Sequence, residues 1–299
     1  MNAFEYNYRT ISVEHFPELQ ADIDLLKEKD MLSNHKTYLG YISKLHFSLL
    51  EDFPTAKSVI ILAVFSPLAK TRFEWQGKSH EVLIPPQYNG NGVSPEEIQK
   101  MIQRDILKDP GFTIKRAKRL HLKLLAVRSG LAQYGRNNIS YIDGMGSFHY
   151  LYAFFTDYEF DKDHWTNIEM MPICEKCQIC RKNCPTGAIQ EVKFVIDAGK
   201  CITLYNELSG TFPSWITPES HNALMGCLKC QLYCPVNQKV RKKFEQFPDI
   251  TEEETALILS QGDDHVLLAS LVEKLKLFSL QNVEVHLSTL SRNLEVLLN

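Results

Sequence analysis

All eight cysteines of the chain fall between Cys174 and Cys234, and the 173 residues ahead of them contain none. The first group is Cys174-x2-Cys177-x2-Cys180-x3-Cys184-Pro185. The second is Cys227-x2-Cys230-x3-Cys234-Pro235, and Cys201 stands alone between them. The opening residues, MNAFEYNYRT, show no basic stretch followed by an apolar core, so no secretory signal is expected. The longest apolar run, Ser58–Phe65, is far shorter than the ~20 residues a bilayer-spanning helix needs. The expectation is a cytoplasmic chain with no membrane association. In that compartment thiols stay reduced, so such a density of them points to metal or redox chemistry.

Zinc is one reading of the cysteines. A structural zinc takes four ligands, usually as two short Cys-x2-Cys pairs separated by a longer loop. Three cysteines each spaced by two residues do not divide into such pairs, but they suit a cubane presented to a loop that winds around one face. The fourth cysteine, followed by proline, ligates the other cluster in two-cluster ferredoxins. Two [4Fe–4S] clusters need eight thiolates, and the chain has eight cysteines in total. One cluster is then held by Cys174, Cys177, Cys180 and Cys234, the other by Cys184, Cys201, Cys227 and Cys230. PTGAI after Cys184 and PVNQ after Cys234 read as chain-reversing turns. In EVKFVIDAGKC the alternation of Val192, Phe194 and Ile196 predicts a short strand before Cys201. The stretch Ile202–Gly226 is long for the loop between ligands.

The remaining sequence is that of a globular protein. Its 299 residues are 44% hydrophobic and 23% charged, which suits roughly two domains of ~100–200 residues each. A net charge of −3 gives no general attraction to nucleic acid, and nucleic acid is not an expected partner. The short basic runs Lys115–Arg119 and Lys239–Lys243 read as solvated surface.

Ahead of the cysteines, VEHFPELQADIDLLKEKDML and TYLGYISKLHFSLLEDF carry apolar residues at helical spacing. KSVIILAVF reads as a buried strand of sheet-interior type. SPEEIQKMIQRDIL opens with Ser94 as N-cap, Pro95 at the first helical position and Glu97 at the capping-box position. HLKLLAVRSGLAQYG predicts another helix, and GSFHYLYAFFTDYEF a long aromatic strand. Helices alternating with strands define an α/β or α+β layer structure. The expected division is an α/β domain over 1–165, a two-cluster ferredoxin-like domain over 166–240 and a short helical C-terminal cap over 241–299.

Between Val127 and Asp157, glycines punctuate the chain at Gly130, Gly135, Gly144 and Gly146, with Asn137 and Asn138 among them. Glycine lets backbone approach a ligand closely, and asparagine amides offer donors and acceptors. A helix end, a loop and a hairpin turn would explain the same residues.

The cysteine module following this loop resembles the epoxyqueuosine reductase family and, more distantly, the corrinoid-dependent reductive dehalogenases. The family's loop Gly-Leu-Gly-Trp-x-Gly-Lys-Asn is similar to Gly130-Leu131-Ala132-Gln133-Tyr134-Gly135-Arg136-Asn137. FPTAKSVIILAV and GSFHYLYAFFTD resemble the family's first core strand and the strand before its clusters. The likeness runs from about Phe53 to Gln238. It implies a nitroreductase-like α/β domain holding cobalamin, fed with electrons by the two clusters. Gly130, Leu131, Gly135, Arg136, Asn137 and Asn138 would be the cofactor-binding residues. A ferredoxin or flavodoxin would be the electron donor, and the substrate an unidentified small molecule or protein.

The chain also departs from the family. The family's proton-donating aspartate lies in a Val-Asp-Ser-x-Pro-type stretch before the glycine loop, and Phe112–Gly130 contains no acid. Ala132 replaces a loop glycine, Gln133 replaces the aromatic residue, and the C-terminal tail is short. Reduction of epoxyqueuosine in tRNA is therefore not the expected reaction. Tyr134, Tyr141, Asp143 and His149 are the nearby candidate donors. Tyr141, which follows the asparagine pair, is the catalytic choice. Three readings stand: an iron–sulfur oxidoreductase with its own substrate, an electron-transfer or activating partner without one, and a flavin-binding reductase.

Overall fold

The computed structural model describes residues 4–90, 92–191, 193–277 and 283–299. In chain order its first elements are β1 (Tyr6–Ser12), α1 (Phe16–Glu28), α2 (Lys36–Ile42), β2 (Ser58–Phe65), β3 (Leu68–Trp75), β4 (Lys78–Ile84) and α3 (Pro95–Met101). Next come β5 (Ile114–Arg116), α4 (Leu122–Arg128), β6 (Gln133–Tyr134), β7 (Ser140–Tyr141) and β8 (His149–Thr156). Short helices α5 (Ile179–Lys182), α6 (Ile202–Glu207) and α7 (Lys229–Leu232) carry the cysteine region. Strand β9 (Phe244–Gln246) and helices α8 (Glu252–Ser260), α9 (His265–Leu275) and α10 (Val283–Leu298) end the chain.

Two compact units result. The first comprises Met1–Phe65, Val93–Gln178 and Ile189–Asp197; the second comprises Ser66–Gly92, Ile179–Ala188 and Ala198–Asn299.

The first unit is built on an antiparallel sheet ordered β1-β2-β8-β5. Its central strand β2 is apolar without interruption because both of its faces are covered. Alternate residues of a strand point to opposite sides. Val59, Ile61 and Ala63 enter a core with Leu19 of α1 and Leu125 of α4. Ile60, Leu62 and Val64 enter another with Ile98 and Met101 of α3. Helix α3 starts as its sequence predicts. The Ser94 side chain accepts from the Glu97 N–H, the Glu97 carboxylate accepts from the Ser94 N–H, and Pro95 occupies the first turn.

Two expectations need correction. The helix expected across Thr37–Phe53 is confined to Lys36–Ile42. Beyond it, the His46 N–H donates to the Arg119 carbonyl and the Phe47 N–H to Gln20 Oε1, so neither follows the helical pattern. The apolar residues Phe47 and Phe53 still reach the core, from an irregular segment. Likewise no strand forms over Lys193–Ile196, while Val192 lies outside the described residues. Phe194 instead packs edge-on against Tyr134, with ring centroids 5.0 Å apart, and Lys193 Nζ donates to the Asp30 carbonyl.

In the second unit, β3 and β4 form a hairpin closed by Gln76 and Gly77, at φ 51° and 71°. Positive φ at both turn positions matches the right-handed twist of the strands. Strand β9 joins β3 in parallel, and the sheet packs with α8, α9 and α10 around Phe73, Leu271, Leu290 and Leu294. The helical C-terminal segment begins with a second capping box, Thr251 with Glu254. Glu254 is buried, and its carboxylate accepts from Lys274 Nζ at 2.7 Å and Ser270 Oγ at 2.6 Å.

Candidate metal centre

In the first unit, the approach to the first two cysteines is fixed by the β6–β7 hairpin. The Tyr134 N–H donates to the Glu169 carbonyl, and the Met171 N–H returns a bond to the Tyr134 carbonyl at 2.9 Å. A turn of 3-10 helix, Pro172–Glu175, follows. The Cys174 N–H donates to Met171 and the Cys177 N–H to Ile173, which shapes a tight loop. Arg136, at the hairpin tip, reaches this loop. Its Nε donates to the Cys177 carbonyl at 3.1 Å, and its Nη2 donates to the carbonyls of Cys174 and Glu175.

The second unit repeats one local design twice. Cys180 lies on α5 and Cys230 on α7, two four-residue helices that pack together. Each is followed by a cysteine–proline pair, Cys184-Pro185 and Cys234-Pro235, where the chain turns. Proline fixes φ and withdraws an N–H, so it favours leaving the helix there.

The structure brings the Cys184, Cys201 and Cys227 side chains into electrostatic range of one another. Burial raises the Cys201 thiol above its usual range, and Cys184 adds to the effect. Burial pushes Cys227 up to about 11, with Cys201 and Cys184 reinforcing it. Crowded, desolvated thiolates repel each other and need a cation to neutralise them. Cysteine sulfurs are the donors iron–sulfur clusters use, and iron would supply that charge. Among the described residues, no three His, Cys, Asp or Glu side chains converge as they would on a single ion.

The glycine loop is closed on itself. Gly130 ends α4 with φ +67°, and Leu131 is buried in the core. Asn137 is buried; its Nδ2 donates to the Tyr141 hydroxyl, and its Oδ1 accepts from the Ile139 N–H. Asn138 adopts φ +59°, and its carbonyl and side-chain oxygen accept from Lys123 Nζ at 2.9 and 3.3 Å. A Cβ on Gly135 would meet Tyr141 Cε2 at 2.5 Å and Asn137 Oδ1 at 2.7 Å. The space beside this glycine is therefore filled by the hairpin's own side chains. The side chains of Arg136, Asn137 and Asn138 are all engaged within the protein. On these observations the six loop residues do not fit a corrinoid by themselves.

The candidate proton donors are placed as follows. Tyr141 is buried with its hydroxyl bonded to Asn137, and burial raises Tyr134 well above the usual phenol range. His149 is buried between the Gly146 carbonyl and Ser140 Oγ, and burial pushes it down to about 4. It is therefore neutral at pH 7. Asp143 is exposed. Lys123 is exposed, and its Nζ is held by the Asn138 carbonyl and side-chain oxygen. The Lys123–Asn138 link and the reach of Arg136 to the cysteine loop had no signal in sequence spacing.

The cysteine region defines the class. Residues 173–237 match the family described as "4Fe-4S double cluster binding domain". Beyond that region, the chain is similar to the epoxyqueuosine reductases. It is 34% identical to the Francisella cf. novicida enzyme over 127 residues, which is 41% of this chain and 34% of that relative. It is 36% identical to the Escherichia coli enzyme over 118 residues, 38% of this chain and 29% of that relative. A longer alignment with the Bacillus subtilis enzyme covers 81% of this chain and 64% of that relative at 26% identity. The chain thus spans about a third of the first two relatives' length. The fold matches a solved Bacillus subtilis epoxyqueuosine reductase with TM-score 0.67 and 20% identity, covering 98% of this chain and 77% of that one. An epoxyqueuosine reductase solved with an epoxyqueuosine-modified tRNA stem loop matches with TM-score 0.68 and 21% identity, covering 98% and 76%.

Proposed function

We propose that the chain is an iron–sulfur oxidoreductase that carries two [4Fe–4S] clusters and passes electrons through them. The observation that carries this reading is the eight-cysteine pattern within a double-cluster domain match, supported by the grouping of Cys184, Cys201 and Cys227. The ligand sets are Cys174, Cys177, Cys180 and Cys234 for one cluster, and Cys184, Cys201, Cys227 and Cys230 for the other. The functional division is a domain over 1–165, the cluster domain over 166–240 and a helical cap over 241–299. The protein works in the cytoplasm, with a ferredoxin or flavodoxin as donor. No helix among the described residues is long and apolar enough to cross a membrane.

The resemblance to the epoxyqueuosine reductases implies a corrinoid as electron acceptor, acting on an unidentified substrate other than epoxyqueuosine in tRNA. The loop residues Gly130–Asn138 do not fit that group by themselves, so its binding would need residues beyond them. A second reading, an electron-transfer or activating partner with no substrate of its own, is favoured by the fully engaged glycine loop and by the absence of acid from Phe112–Gly130. An anaerobic absorption titration of the iron-loaded protein with cobalamin separates the two. A base-on to base-off spectral change supports the corrinoid reading. Saturating cobalamin with no spectral change leaves the partner reading.

A further inference from the structure

We infer that Arg136 is the positioning residue of the first cluster: it holds the Cys174–Cys177 loop in ligating form, and its charge raises that cluster's reduction potential. The inference rests on the proposal that these cysteines bind a [4Fe–4S] cluster.

The geometry is that of a planar fork engaging a loop of backbone. Nε bonds the Cys177 carbonyl, while Nη2 bonds those of Cys174 and Glu175. A guanidinium presents donors at fixed spacing, which a lysine ammonium does not. In a trans peptide the N–H points opposite to the C=O. Turning the Cys174 and Cys177 carbonyls toward Arg136 therefore turns the N–H groups of Glu175 and Gln178 away from it. Amides fixed with N–H groups on one side of a loop form an anion-binding surface. A cluster ligated by four thiolates is anionic, and hydrogen bonds to its sulfurs together with local charge set its potential.

Two further observations support an electrostatic role. All three hydrogen-bond partners of the guanidinium are neutral carbonyls, and no carboxylate among the described residues pairs with it. Its charge is therefore not cancelled locally. Its support is also rigid. Arg136 lies in a turn where the Gly135 N–H donates to Ile139, the Asn138 N–H donates to Gly135, and Lys123 secures the Asn138 carbonyl.

The test is a redox titration of the full-length, anaerobically reconstituted protein followed by EPR, with dithionite as reductant. Wild type, Arg136→Gln and Arg136→Lys are compared. In Arg136→Gln one of two midpoints should fall by at least a tenfold change in the one-electron equilibrium, 59 mV for one electron, while the other stays. Arg136→Lys keeps the charge and should recover most of that shift, but it should lose iron faster in air because the fork is gone. Selective loss of about half the iron in Arg136→Gln, with loss from the same cluster in Arg136→Lys on exposure to air, also supports the clamp. Full iron with both midpoints unchanged overturns the inference. So does equal loss of both clusters in both variants, which would make Arg136 a general folding residue. Wild type that binds no iron and sulfide would instead defeat the underlying proposal.

Discussion

Asn137 Nδ2 donates to the Tyr141 hydroxyl at 3.0 Å, and both side chains are buried in the hairpin they close. Tyr141→Phe removes the acceptor and leaves a buried amide donor short of a partner. Such a loss costs about 1–3 kcal/mol. Urea denaturation should show that decrease. A variant of unchanged stability whose chemical step is slowed would instead assign the hydroxyl to proton transfer.

Gly135→Ala should destabilise the protein without any ligand present. The added Cβ would lie 2.5 Å from a Tyr141 ring carbon, and the hairpin must shift to admit it. Overpacking of this kind costs roughly 1–3 kcal/mol. Thermal denaturation of the ligand-free protein checks this. A melting temperature equal to wild type would show that the hairpin yields freely.

His149 predicts an acid limb in stability. Its ordinary value of 6.5 is depressed to about 4 in the folded protein, so the unfolded chain binds the proton more readily. The contribution is complete above about pH 6.5 and is lost as pH falls through 4. The 2.5-unit difference corresponds to on the order of 3 kcal/mol. Denaturation midpoints measured between pH 7 and 4 should decline more steeply in wild type than in His149→Gln. Parallel profiles would contradict the assignment.

Lys274→Met should weaken the second unit by about 2 kcal/mol. It strips a charged partner from the buried Glu254 carboxylate, which then keeps Ser270 and its own helix cap. Burial opposes ionisation of Glu254, but Lys274 and Ser270 overcome it and hold its pKa below the usual value. Guanidinium denaturation of the variant measures the loss, and no change would show the pair to be solvated.

What could be read from sequence was governed by how local the determining interaction is. The Ser94–Glu97 cap lies within one helical turn, and the uninterrupted run of β2 records burial on both faces. The helix expected beyond Ile42 fails because distant groups, Gln20 Oε1 and the Arg119 carbonyl, accept the N–H groups of Phe47 and His46. Cysteine spacing points to cluster chemistry because Cys174–Cys184 and Cys227–Cys234 each fall within a short stretch. The destination of Arg136 was hidden, since its carbonyl partners lie 38 to 41 residues further along the chain. The glycines of the loop are compatible both with a ligand cradle and with a self-closed hairpin. The positions of the Tyr141 ring and of Asn137 Oδ1 distinguish the two at Gly135.

Iron and acid-labile sulfide analysis of anaerobically reconstituted protein tests whether the chain holds a pair of clusters. About eight irons and about eight sulfides per chain are expected, four of each per cubane. Cys201→Ala should selectively damage the cluster that also uses Cys184, Cys227 and Cys230. A protein that binds one or two zinc ions and no sulfide would contradict the pair of clusters.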